Sequence, residues 1–220
     1  LKSSYMTAIM RKHLLEEDLV SFAKPEELKS KSIEELLNDR FRPYIGLSEK
    51  AIAEQLGFPY NPNTKQFIAT LTSALLGVKG TKLDAIEEFA KANIQFKTVR
   101  LEPNGRPEQH MSFENIDFLQ WTTEAWEESY LRERFMETKF LFVVFEFKET
   151  EKENKHRLPY LKGIKLWNMP LATIDSKMKE LWDEVNKVLA EGIQIGKQKW
   201  GSGYRETNNL PKTNFNGVTH

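Results

Sequence analysis

A chain of 220 residues suits one large domain or two small ones, and its 40% apolar and 29% charged residues are an ordinary globular composition. Lys+Arg and Asp+Glu stand at 32 each, so net charge gives no general push towards nucleic acid or membrane, and any DNA contact must come from a local patch. The absence of cysteine excludes disulfides, Cys zinc sites and thiol catalysis; no signal peptide and no long apolar run argue for secretion or membrane spanning.

In chain order, Ser3 to Leu15 opens with a capping Ser and places Tyr5, Ile9, Met10 and Leu14 on one helical stripe, with Arg11 and Lys12 on a solvated basic side. Ser32-Ile33-Glu34-Glu35 is close to a capping box and predicts a helix to about Phe41, stopped by Pro43. Two further helices are expected, from Ser48 to Leu56 before Gly57 and from Gln66 to Leu76 before Gly77. The loop between them holds two Pro and is too long for a helix-turn-helix DNA reader. Lys79-Gly80-Thr81-Lys82 lacks the glycine spacing of a phosphate-binding loop.

Ile94 to Val99 alternates apolar and polar residues, the pattern of a half-buried strand. A turn over 102–109, a strand over Met111–Leu119 and a helix from Thr122 carrying Trp126, Tyr130 and Leu131 come next. Lys139–Phe147 is the most apolar run and is expected to be a central strand buried on both faces. A polar hairpin loop at 149–157 leads to a strand over Lys162–Trp167. The longest helix runs from Ala172 to Glu191, with Ile174, Met178, Leu181, Val185 and Leu189 on its stripe. Trp167 and Trp182 are expected in the core. From residue 196 the chain turns polar and Gly- and Asn-rich, with Lys197, Lys199, Arg205 and Lys212 against one acid, Glu206, and with Trp200, Tyr204 and Phe215 interleaved. Without repeats or a domain boundary, one mixed α/β domain over 1–220 is the economical reading.

The stretch Asp84–Leu101 carries the chemistry. Glu88 stands seven residues before Gln95, and Gln95 and Lys97, two apart, share one face of a strand. Metal-dependent hydrolysis of a phosphodiester uses carboxylates to hold Mg²⁺ and a lysine to stabilise developing charge, so an active site would read acid, seven-residue step, Glu-x-Lys. Here the second acid is a neutral amide. On periodicity alone, Gln95 and Lys97 equally fit the outward face of a surface strand.

The blocks LKSSYMTAIMRK, NIQFKTVRL, FLFVVFEF, KGIKLWNMP and MKELWDEVNKVLAEG resemble the C-terminal half of the Sau-three-A-I type restriction endonucleases over nearly the whole chain. Those enzymes cut GATC sites and are built from two domains that each resemble the mismatch-repair nicking endonuclease MutH. The resemblance implies a restriction-endonuclease-like (MutH-like) fold, a mixed central sheet flanked by helices. It also implies that the chain is a fragment of a larger two-domain bacterial cytoplasmic enzyme, as a start at Leu1 suggests, and is cut short at its C-terminal end, at Val218-Thr219-His220. It lays the family's Asp position on Glu88, its Glu position on Gln95 and its Lys position on Lys97, a degenerate site expected to be inactive. It further implies an effector role: binding a second copy of double-stranded GATC DNA beside an N-terminal catalytic domain, with Mg²⁺ required by the parent enzyme and no metal expected here. Lys199, Arg205 and Lys212 in the tail are the expected DNA contacts, since Lys and Arg suit phosphates and guanine edges; a merely solvated tail is the bland alternative. Two other readings stay open: an active nuclease in which Glu87 or Asp84 supplies the missing charge, and a structural module that holds the catalytic half or its dimer.

Overall fold

The computed structural model describes Met6, Met10 and residues 19–64, 66–111, 113, 115–212 and 215–216. Apart from Met6 and Met10, the helix expected over 3–15 lies outside the described residues. The chain forms two compact units, one of Leu1–His110 with Glu137–Asn168, the other of Met111–Met136 with Met169–His220.

The first unit holds α1 (Pro25–Ser30), α2 (Ile33–Phe41), α3 (Glu49–Gln55), α4 (Phe67–Leu75), α5 (Glu87–Ala92), β1 (Ile94–Leu101), β2 (Lys139–Phe147) and β3 (Pro159–Asn168). The capping box forms: Ser32 Oγ accepts from Glu35 N at 3.2 Å, and Ser32 N donates to Glu35 Oε2 at 2.8 Å. Ser48 caps α3 in the same way, accepting from Ala51 N at 3.2 Å.

The three strands form one mixed sheet in the order β1-β2-β3, with β1 parallel and β3 antiparallel to β2. Register sets the faces. Phe96, Leu141 and Leu166 stand side by side, as do Gln95, Phe140 and Trp167. The Phe96 face joins the core with Leu36, Leu37, Phe41, Ile52, Leu71, Ile86 and Phe89 from the helices. Each fully buried Leu, Ile or Phe there stabilises by roughly 1.5–3 kcal/mol. The opposite face of β2 is less covered than its apolar run suggests. Leu141, Val143, Phe145 and Phe147 are buried, whereas Phe142, Val144 and Glu146 are only half-buried. Trp167 is likewise half-buried, in an aromatic group with Phe140 and Phe142 at centroid distances of 6.2 and 5.9 Å. A bulge at Val144/Phe145 sits opposite Gly163, whose φ of 152° suits a residue without Cβ.

The second unit departs further from expectation. No strand forms among the described residues of 111–119. Asp117 instead accepts from Leu119 N at 3.0 Å and Gln120 N at 3.3 Å and starts α6 (Phe118–Trp121). A short helical turn at Trp126–Glu128 precedes α7 (Tyr130–Glu137). The long helix forms as α8 (Leu171–Thr173), a π turn over Ile174–Met178 and α9 (Lys179–Glu191). Ile174, Met178, Val185 and Val188 are buried, while Leu181 and Leu189 are only half-buried. Trp182 is half-buried too, 5.9 Å from Trp126 between ring centroids. The start of the polar tail, residues 195–208, is regular. It folds as an antiparallel hairpin of β4 (Ile195–Trp200) and β5 (Gly203–Asn208), turned at Gly201 with φ 57°, as a two-residue connection demands.

Candidate nuclease-like site and an exposed basic hairpin

β1 is an edge strand whose outer side is bridged at Leu101 by Pro107, with Glu108 N donating to Arg100 O at 2.8 Å. A cavity of about 660 Å³ lies beside its first half, and Gln95, Lys97, Asp84, Lys82, Thr70 and Ser73 are among its lining residues. Three neighbouring pieces of chain supply them: β1, the loop before α5, and one side of α4. Gln95 and Lys97 therefore do come together, as the period of a strand requires.

Glu88 is not among the lining residues. It is buried on α5, where its carboxylate accepts from Ser21 Oγ and, at 3.3 Å, from Phe22 N. The same segment is held by a parallel bridge: Val20 N donates to Ala85 O and Glu87 N to Val20 O, both at 3.0 Å. Phe22 packs edge-on against Phe89 at 6.0 Å. Glu88 thus clasps the chain before α1 onto α5. Glu87 pairs with Lys91 one turn on, at 2.5 Å. Asp84 is the carboxylate of the Asp84–Leu101 stretch that lines the cavity.

A hard divalent cation wants several anionic oxygens. Among the described residues the cavity offers one carboxylate, two neutral amides and two ammonium groups, a donor set that does not fit Mg²⁺. Among the described residues, no three His, Cys, Asp or Glu side chains gather where they could hold a metal ion.

A second polar cluster in the same unit has no signature in the sequence. Glu49, 2% exposed at the start of α3, accepts from Tyr60 Oη at 3.0 Å and from Arg100 Nη2 at 3.1 Å. Burial, reinforced by the Glu49 charge, pushes the Tyr60 hydroxyl well above its usual range, so it stays a donor. Glu49 alone reads as an ordinary first-turn acid.

The hairpin is another kind of surface. Almost every residue of β4 and β5 is exposed, Trp200 by 64% and Tyr204 by 75%. Cross-strand register puts Lys197 opposite Glu206 and Lys199 opposite Tyr204, while Arg205 lies opposite Gln198. Arg205 donates to Gln198 Oε1 at 3.0 Å and its guanidinium sits 4.3 Å from the Trp200 ring centre. Of the expected DNA contacts, Lys199 and Arg205 share this hairpin; Lys212 lies beyond it, also exposed.

Sheet and helices together make this a mixed α/β protein with a polar cavity beside β1. No protein-family model matches the chain. Over its whole length it is similar to the "Type II restriction enzyme Sau3AI" of Staphylococcus aureus, at 33% identity. The match covers 47% of that enzyme, so the chain spans about half the length of the curated relative. It is a Sau3AI-like C-terminal domain.

Proposed function

We propose that this chain is the DNA-binding effector domain of a GATC-specific type II restriction endonuclease, a single MutH-like domain whose Mg²⁺-dependent nuclease site has decayed. The observation that carries the reading is Gln95, a neutral amide beside Lys97 in a cavity whose acid from the same stretch is Asp84 alone. Support also comes from the likeness to a type II restriction enzyme and from the basic, aromatic-bearing hairpin. In this reading Lys199, Arg205 and Lys212 meet the duplex, and Glu88, Gln95 and Lys97 descend from catalytic positions. The partners are double-stranded GATC DNA and an N-terminal catalytic domain of the same enzyme, in the bacterial cytoplasm. Among the described residues no helix is long and apolar enough to cross a membrane. Mg²⁺ serves the parent enzyme and not this domain.

A second reading, an active endonuclease, is favoured by one observation: Asp84 returns one carboxylate to the cavity. One experiment separates the two. The chain is titrated with GATC and scrambled duplexes, with and without Mg²⁺, by gel shift. Salt-dependent binding that prefers GATC, with the DNA left intact, is expected. Mg²⁺-dependent cutting abolished by Lys97→Ala would establish the second reading, and a complete lack of binding would leave only a structural module.

A further inference from the structure

The charge around β1 suggests what the cavity holds in place of a metal. Of the three acids ahead of the strand, Glu87 is paired with Lys91 and Glu88 is committed to Ser21 and Phe22, both outside the cavity lining. Lys82 and Lys97 both line it, against Asp84. Formal charge among the described lining residues is therefore positive by one. Part of the remaining polar lining suits an oxyanion: Gln66 and Gln95 carry amide N–H groups and Thr81 a hydroxyl, whereas the Thr70 and Ser73 hydroxyls donate to Gln66 O and Thr70 O, both at 2.9 Å. Gly80, at φ 87° and with open space where a Cβ would stand, leaves its backbone accessible at the rim.

We infer that this cavity binds a phosphate oxyanion without a divalent cation, through Lys97 and Lys82, with Gln95 offering its amide N–H where an active site would offer a carboxylate. This rests on the reading of the site as a nuclease site that has lost its metal. Replacing a carboxylate by an amide inverts the preference of the position. A carboxylate accepts only and repels phosphate, whereas an amide donates to it. The same substitution that removes a metal ligand thus builds half of an anion site. The phosphate comes either from the duplex backbone or from free phosphate; the recognising chemistry is the same.

The test uses the full chain and inorganic phosphate in buffer containing EDTA, followed by phosphorus NMR line broadening. Saturable binding is expected, weakened about tenfold by Lys97→Met and several-fold by Lys82→Met, as loss of a charge-assisted contact implies. Lys29→Met, a surface change on α1, controls for net charge and should leave binding unaltered. Lys82 is exposed, so its variant tests the idea even if Lys97→Met fails to fold. Phosphate that also competes with duplex identifies the backbone as the source, and phosphate that binds without competing identifies free phosphate. Absence of saturation in EDTA, dependence on Mg²⁺, or indifference to Lys82→Met would each overturn the inference. Duplex binding without phosphate binding would reject it while leaving the effector reading intact; phosphate binding without duplex binding would do the reverse.

Discussion

The cavity beside β1 and the β4–β5 hairpin carry positive charge in opposite ways. In the cavity, Lys82 and Lys97 stand on segments anchored to a buried core, and Asp84 offsets part of their charge. On the hairpin, Lys197, Lys199 and Arg205 stand on two exposed strands with only Glu206 between them as an acid. A buried scaffold fixes geometry at the expense of charge density, which suits recognition of one small group. An exposed ribbon concentrates charge and aromatic surface but has little core of its own, and an isolated two-stranded hairpin is marginally stable in water. Such a ribbon has the dimensions to enter a major groove. On the proposed effector reading, the cavity supplies one fixed point for DNA and the ribbon a broad, salt-sensitive grip.

The strongest way to break this division is to strip the ribbon. Lys197→Ala, Lys199→Ala and Arg205→Ala together should weaken duplex binding by about 100-fold and lower its salt slope by about three, while the melting temperature stays put. Gel shifts at several salt concentrations measure both, and an unchanged salt slope would remove the hairpin from the interface. The next effect belongs to the scaffold. Glu88→Ala leaves the buried Phe22 N–H without its acceptor, while Ser21 Oγ keeps Ala23 O at 2.6 Å, and the orphaned donor costs about 2 kcal/mol. Calorimetry should show a melting temperature lower by about 6 °C for a chain of this size, with the hairpin's salt slope intact. If Glu88→Ala melts like the parent, the clasp contributes nothing to the fixed side.

What was legible in the sequence follows the same divide. Local patterns of one period, the Ser32 capping box, the alternation at Ile94–Val99 and the apolar run of β2, named elements that the core then confirms. The hairpin was hidden because Gly196, Gly203 and the Asn residues erase an apolar alternation, and because a strand exposed on both faces has none to show. Met111–Leu119 misled in the other direction: its apolar residues suggested a strand, but Asp117 bonds two backbone N–H groups and commits the segment to a helical turn. The site shows the limit of spacing. Counting back seven from Gln95 lands on Glu88, yet that count crosses α5 and the left-handed Asn93 at its end, φ 51°. The step in sequence carried no record that the Glu88 carboxylate bonds Ser21 and Phe22, nor that the chain before α5 brings Asp84 to the cavity.

Gln95→Glu gives the smallest change but the sharpest one, since it adds one charge at a position that the strand already fixes. A glutamate there would join Asp84 as a second carboxylate in the cavity, and two anionic oxygens facing one space favour a hard cation. Mg²⁺ affinity measured by calorimetry should rise about tenfold, the effect of one added charge at partly screened distance. Phosphate affinity should fall by a similar factor, because the new carboxylate repels the oxyanion that the amide attracted. Opposite shifts for the two ions cannot come from a general change in folding, which would move both the same way. The hairpin's grip on duplex, read from its salt slope, should not respond at all. Were both ions to bind the variant as they bind the parent, residue 95 would not face the bound group, and the cavity would lose its claim to be the fixed point.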